Sequence, residues 1–132
     1  MARHDSSPSI LLVEDDKVTI ELLSSMLTLK YPEISLHTAT SGRMGLELFK
    51  THQPDIVITD INMPEMSGLE MVGEIRAIRP DTRFIILTGN SGKAFLQHTG
   101  ESGVGFEFVI VKPVVFLELF TIIEKCFAEI SC

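Results

Sequence analysis

Four apolar runs in this 132-residue chain end in side chains that could do chemistry together. Ile10-Leu11-Leu12-Val13 is followed by Glu14-Asp15-Asp16, and Ile56-Val57-Ile58-Thr59 by Asp60. Phe84-Ile85-Ile86-Leu87 leads into Thr88, and Phe108-Val109-Ile110-Val111 into Lys112. Apolar runs bounded by polar residues read as buried strands, and in an open parallel sheet the carboxyl ends of strands form the usual ligand crevice. Carboxylates gathered there repel one another, and a hard divalent cation with oxygen ligands offsets that repulsion. A carboxylate can attack phosphorus, a cation can neutralise the transferring oxygens, and a hydroxyl and an ammonium can hold the remaining ones. The set reads as a phosphoryl site assembled from sequence-distant parts.

The elements between these runs must bring their ends together. Residues 1–8 are polar up to Pro8 and read as a flexible leader, with one domain over residues 9–131. From Val18 to Lys30, Ile20, Leu23, Met26 and Leu27 recur at helical spacing with Leu22 widening the stripe, Asp16 placed to cap the helix and Pro32 to stop it. Ile34 and Leu36 alternate as a short second strand, and Ser41-Gly42 precedes a helix over Met44 to Thr51 that turns Leu46, Phe49 and Leu48 to a sheet. After Asp60, Met63-Pro64 and Ser67-Gly68 signal a loop; Leu69, Val72, Ile75 and Ile78 then mark a helix closed by Pro80-Asp81. Between Asn90 and Gly105 the glycines confine any helix to Lys93 through His98, which predicts a loosened connector. A final helix over Val115 to Ile130 carries Leu119, Ile122, Ile123, Cys126 and Phe127 on one face.

Strands alternating with helices predict an α/β fold with right-handed crossovers. Consecutive apolar residues in each strand predict helices on both faces of a parallel sheet. The order 2-1-3-4-5 makes strands one and three neighbours at the reversal point and so joins the two acid-ended strands.

Composition narrows the function classes. The chain is 45% hydrophobic, enough for one real core, and its formal charge of -7 argues against a general nucleic-acid surface. No run reaches transmembrane length and no apolar N-terminal signal is present, so the expectation is a cytoplasmic protein without membrane contact. Cys126 and Cys132 read as reduced thiols, and His4, His37, His52 and His98 are scattered without ligand spacing.

The chain resembles the response-regulator receiver domains of two-component signalling. The resemblance rests on Leu12-Val13-Glu14-Asp15-Asp16, on Asp60-Ile61-Asn62-Met63-Pro64 with Gly68 behind it, on Leu87-Thr88-Gly89 and on Val111-Lys112-Pro113, in this order. It implies a flavodoxin-like (βα)5 fold and transfer of a phosphoryl group from a phosphohistidine to Asp60, with a sensor histidine kinase or a histidine phosphotransfer protein as partner. It also implies Mg2+, with Mn2+ as an alternative, on Asp15, Asp60 and the backbone carbonyl of Asn62, and Glu14 acting through metal-bound water. Asp16 lies one place beyond the acid pair and suits a helix start better than a ligand role. Thr88 would hydrogen-bond a phosphoryl oxygen, Lys112 would pair with the phosphoryl group, and Lys112-Pro113 would be cis. Gly89 keeps access to Asp60 open, and Asn62 and Asn90 match positions that tune autodephosphorylation. Self-phosphorylation and autodephosphorylation are the only catalysis expected.

One position departs from the pattern. Three residues before the lysine, where many receivers carry Tyr or Phe, stands Val109, with Phe108 beside it. Thr88, Val109 and Phe108 are therefore the switch candidates: either a nearby phenylalanine, Phe108 or Phe106, takes the aromatic place through a local bulge, or switching follows another route. The alternative function is a degenerate receiver that binds proteins independently of phosphorylation; the intact acids, Thr88 and Lys112 weigh against it. A Mg2+-dependent phosphohydrolase would need a cap and a second catalytic carboxylate beside Asp60, and a flavin carrier would need a Ser/Thr-Gly-rich first loop in place of these acids. A homodimer and an attached output or kinase domain are both compatible with the sequence.

Overall fold

The computed structural model describes residues 8–89 and 108–131. The leader up to Ser7 and the expected short helix over Lys93 to His98 lie outside the described residues, as does Asn90. The elements run β1 (Ser9–Val13), α1 (Lys17–Lys30), β2 (Ser35–Ala39), α2 (Gly42–His52), β3 (Ile56–Asp60), α3 (Gly68–Ile78), β4 (Arg83–Thr88), β5 (Phe108–Val111) and α4 (Phe116–Ser131). The five described strands form one parallel sheet in the order β2-β1-β3-β4-β5, which bears out the predicted topology.

Period-two alternation explains why the strands are apolar at successive positions. Ile10, Leu12, Ile56, Ile58, Ile85, Leu87 and Ile110 point to one face, where Ile20, Leu23 and Leu27 of α1 and Leu119, Ile123 and Cys126 of α4 cover them. Leu11, Val13, Val57, Phe84 and Ile86 point to the other, beneath Leu46 and Phe49 of α2 and Met71, Val72 and Ile75 of α3. Three expected core positions fall outside these clusters: Leu22 of α1 is 52% exposed, Ile78 of α3 is 41% exposed, and Met26 of α1 is half-buried. Each residue turns a helix by about 100°, so Leu22 and Ile78 sit off the stripes centred on Leu23 and Ile75.

Caps set the helix starts. Asp16 accepts the Thr19 N–H at 3.1 Å, and Ser41 accepts the Met44 N–H at 3.1 Å, which starts α2 at Gly42, ahead of the expected Met44. Ser67 and Glu70 form a reciprocal capping box on α3, with bonds of 3.1 and 2.9 Å.

At the edge of the sheet opposite the acids, Asp55 is buried. It accepts the Ser9 N–H at 2.9 Å and Arg79 Nη2 at 3.2 Å, while Arg79 Nη1 donates to the Gln53 carbonyl at 2.7 Å. This clamp ties β1, β3 and the end of α3 together. Asp55→Ala is expected to cost about 1 to 2 kcal/mol in urea denaturation by leaving the buried Ser9 N–H unsatisfied, while Arg79 keeps its ion pair with Asp81 at 3.3 Å. Chemistry at Asp60 should persist under native conditions.

The fold also joins two histidines that the sequence shows as scattered. His37 of β2 and His52 of α2 stack with centroids 3.9 Å apart and an interplanar angle of 15°. Burial, and then the charge of His52, lowers the His37 pKa from 6.5. In the unfolded chain His37 therefore takes up a proton at a higher pH than in the folded one. Stability should decline as the pH falls through 6.5, and the loss should be complete below the folded pKa. NMR titration should place the His37 midpoint below 6.5, and His52→Gln should move it only part of the way back, because burial is the larger cause.

Candidate functional site

The sheet order brings the candidate residues to one edge. β1 and β3 pair up to Val13↔Thr59, so Glu14 and Asp60 emerge side by side. The Glu14 N–H still bonds the Ala39 carbonyl at 3.0 Å, extending the strand by one residue and fixing where its side chain points. Thr88 closes β4 opposite Val111, and the Lys112 N–H donates to the Thr88 carbonyl at 2.6 Å. The Lys112–Pro113 peptide is cis.

At this edge, carboxylate oxygens of Glu14, Asp15 and Asp60 all lie within 4.8 Å of one another. Lys112 Nζ stands 3.1 Å from Glu14 Oε1 and 3.2 Å from Asp60 Oδ2. Asp60 Oδ1 accepts the Ile61 N–H at 2.8 Å, and Glu14 Oε2 accepts the Asp16 N–H at 3.2 Å. Glu14 is 1% exposed and the Lys112 side chain 31%, so the ammonium faces solvent on one side and two carboxylates on the other.

Burial pushes the Glu14 carboxyl above its usual range; the Asp16 N–H and Lys112 oppose this. For Lys112 burial works downward, but the hydrogen bond to Glu14 and the charges of Asp60 and Glu14 outweigh it and raise the pKa. The ammonium stays charged. Asp16 is engaged elsewhere: the Thr19 hydroxyl, then its N–H, holds its carboxyl below the ordinary range, and the three-carboxylate group does not include it.

Thr88 is buried, and its hydroxyl donates to the Gly89 carbonyl at 3.2 Å. Gly89 and Asn62 are exposed, and a Cβ added at Gly89 would meet nothing within 4 Å. The β4–β5 register runs without interruption from Ile85↔Phe108 through Ile86↔Val109 to Thr88↔Val111. There is no bulge to rotate Phe108. Val109 packs with the α2–α3 core, on the side of the sheet to which Ile86 and Thr88 point, whereas Phe108 packs on the α1–α4 side. Phe108 therefore does not take the aromatic place by bulging in this arrangement, and Phe106 lies outside the described residues.

Two features of the site were not foreseen. Sequence reasoning assigned Glu14 to metal-bound water and Lys112 to the phosphoryl group, but not to each other. The Ser67/Glu70 box that starts α3 was legible as S-x-x-E before an apolar run and was passed over.

A doubly wound sheet whose carboxyl edge gathers three carboxylates against a lysine defines the class of CheY-like α/β domains with an acidic pocket. The profile described as response regulator receiver domain matches residues 10–124, and the chain belongs to that family. It is 29% identical over 123 residues to the transcriptional regulatory protein YesN of Bacillus subtilis, covering 92% of this chain and 33% of that protein. It is 36% identical over 105 residues to the transcriptional regulatory protein GlrR of Escherichia coli, covering 80% of this chain and 23% of that protein. The chain thus spans a third or less of these relatives. Among solved structures, a receiver domain protein from Clostridium thermocellum superposes with a TM-score of 0.84 at 27% identity, covering 94% of this chain and 97% of that one. TrrA of Thermotoga maritima, a response regulator in complex with Mg2+-BeF, superposes with a TM-score of 0.77 at 34% identity, covering 90% and 98%. The chain is therefore a receiver domain of two-component systems. No helix of the described residues is long and apolar enough to cross a membrane.

Proposed function

We propose that this domain takes a phosphoryl group from a phosphohistidine onto Asp60 and changes its conformational population in response. The observation that carries the reading is the Asp60 carboxylate set between the Lys112 ammonium at 3.2 Å and the Glu14 and Asp15 carboxylates. In the transfer an Asp60 oxygen bonds phosphorus as the P–N bond breaks, and neutral imidazole leaves with the proton on its other nitrogen. Lys112 pairs with the phosphoryl oxygens, and the Thr88 hydroxyl exchanges the Gly89 carbonyl for one of them.

Three carboxylates within 4.8 Å suit a hard cation with oxygen ligands. Mg2+, or Mn2+ in its place, would be held by Asp15, Asp60, the Asn62 carbonyl and, through water, Glu14, and would supply charge neutralisation for the transferring oxygens. Exposed Gly89 leaves the approach to Asp60 open. Exposed Asn62 is an amide and so no base for activating water, and hydrolysis of the phosphoryl group is left to the domain's own autodephosphorylation.

The donor is a sensor histidine kinase or a histidine phosphotransfer protein in the cytoplasm. Beside Lys112 a groove of about 200 Å³ is lined by Thr19, Leu22, Leu23, Pro113, Val114 and Phe116. With Leu22 exposed in its lining, it offers such a protein an apolar footing beside Lys112. The receiver unit spans residues 9–131 behind a leader, and an output domain, a kinase domain or a second copy would read the change. With valine at 109, that change proceeds without rotation of an aromatic side chain at that position.

The test is incubation of the folded protein with a small phosphodonor and Mg2+, followed by intact-mass measurement and hydroxylamine treatment. A single phosphoryl adduct that hydroxylamine removes, as an acyl phosphate requires, is expected. Absence of any adduct would overturn the reading.

A further inference from the structure

We propose that Gly68 is a positioning residue of this site: its bare Cα lets α3 start against the Asp60 carbonyl, and that contact holds the loop presenting the Asn62 carbonyl. The inference rests on the reading of Asn62 as a cation ligand.

A Cβ on Gly68 would stand 2.0 Å from the Asp60 carbonyl oxygen, 3.0 Å from its carbon and 3.2 Å from the Ile61 Cα. All three are backbone atoms, so no flexible side-chain end can give way. The approach is also a bond, because the Gly68 N–H donates to the Ile61 carbonyl at 2.7 Å. Residues 62–67 therefore leave Asp60-Ile61 and return to the same two residues, which makes the loop closed and short.

The surroundings decide what must yield to a side chain here. α3 is held by Met71, Val72 and Ile75 in the core and by its Ser67/Glu70 box. β3 is held between β1 and β4. The loop between them is the softest part, although Glu65 in the left-handed region at φ 69° and a 2.7 Å bond from the Met66 N–H to the Pro64 carbonyl shape it. Added volume at position 68 is thus delivered to the segment that contains Asn62.

Gly68→Ala should weaken Mg2+ binding, read by titration calorimetry without a phosphodonor, by about 10- to 100-fold. Adduct formation at saturating Mg2+ should fall less than the affinity does. Gly45→Ala is the control for crowding alone, since its Cβ would meet Met71 Sδ at 2.8 Å and Val13 Cγ2 at 2.9 Å, away from the loop. It should lose stability and keep wild-type affinity. A folded Gly68→Ala protein with wild-type affinity, or a Gly45→Ala protein with the same loss of affinity, would overturn the role.

Should Gly68→Ala fail to fold, hydrogen exchange on the wild-type protein decides. Mg2+ should raise protection of the Gly68 amide, because a ligand that needs the closed loop stabilises its closing bond by the same coupling. Unchanged protection at saturating Mg2+ would overturn the role while leaving the phosphoacceptor reading intact. A wild-type protein that binds no Mg2+ would overturn the cation reading and this role with it.

Discussion

An Asp60→Asn protein is expected to fold as the wild type does and to take up no phosphoryl group. The amide cannot act as the nucleophile, yet its oxygen can still accept the Ile61 N–H that Asp60 Oδ1 accepts at 2.8 Å. The substitution removes the attraction to Lys112 and also the repulsion from Glu14 and Asp15. These effects oppose each other, so stability should move by no more than about 1 kcal/mol. Intact-mass measurement of both proteins in one phosphodonor reaction checks this. An equal adduct on Asp60→Asn would place the acceptor at another residue.

Lys112→Met should show the largest effect on stability and a large one on chemistry. It leaves the buried Glu14 carboxylate with the Asp16 N–H alone and strips Asp60 of its ammonium partner. Breaking a fully buried pair costs about 3 to 5 kcal/mol. Lys112 keeps about a third of its side chain in solvent, so about 2 to 3 kcal/mol is expected in urea denaturation at neutral pH. Phosphoryl uptake should slow by about 10² to 10³ once the ammonium no longer meets the transferring oxygens.

The deficit should shrink in two ways. Added Mg2+ neutralises the same carboxylates and should restore much of the lost stability. Lowering the pH should also help, because Glu14 in the folded state has a pKa raised above 4.5 and binds its proton before the unfolded chain does. Stability of the variant therefore rises as the pH falls through the folded Glu14 pKa towards 4.5. A Lys112→Met protein as stable as the wild type, insensitive to Mg2+ and to pH in that range, would show that the Lys112–Glu14 contact contributes nothing.

Much of the fold was legible because its signals are local. A strand buried on both faces must be apolar at every position, and Ile10–Val13, Ile56–Ile58 and Phe84–Leu87 announce themselves for that reason. Glu14, Asp15, Asp60, Thr88 and Lys112 follow such runs directly, so one assumption about strand order was enough to converge them. Caps were partly legible as well: Asp16 was read as a helix start and caps α1.

What tertiary structure alone decided are the distances and faces that depend on several elements at once. Glu14 and Lys112 are 98 residues apart in sequence, and only the neighbouring strand ends leave one ammonium between two carboxylates. Phe108 and Val109 are adjacent and both apolar, so composition cannot choose which of them shares a face with Thr88; the unbroken β4–β5 register does. His37 and His52 meet only because α2 returns over β2. Gly68 shows the same division. Its place behind Asp60 is written in the sequence, but that a single Cβ would strike the Asp60 carbonyl depends on how closely α3 packs against the end of β3. A side chain's type is a local property, and its chemical role at this edge is set by neighbours that the chain reaches only by folding.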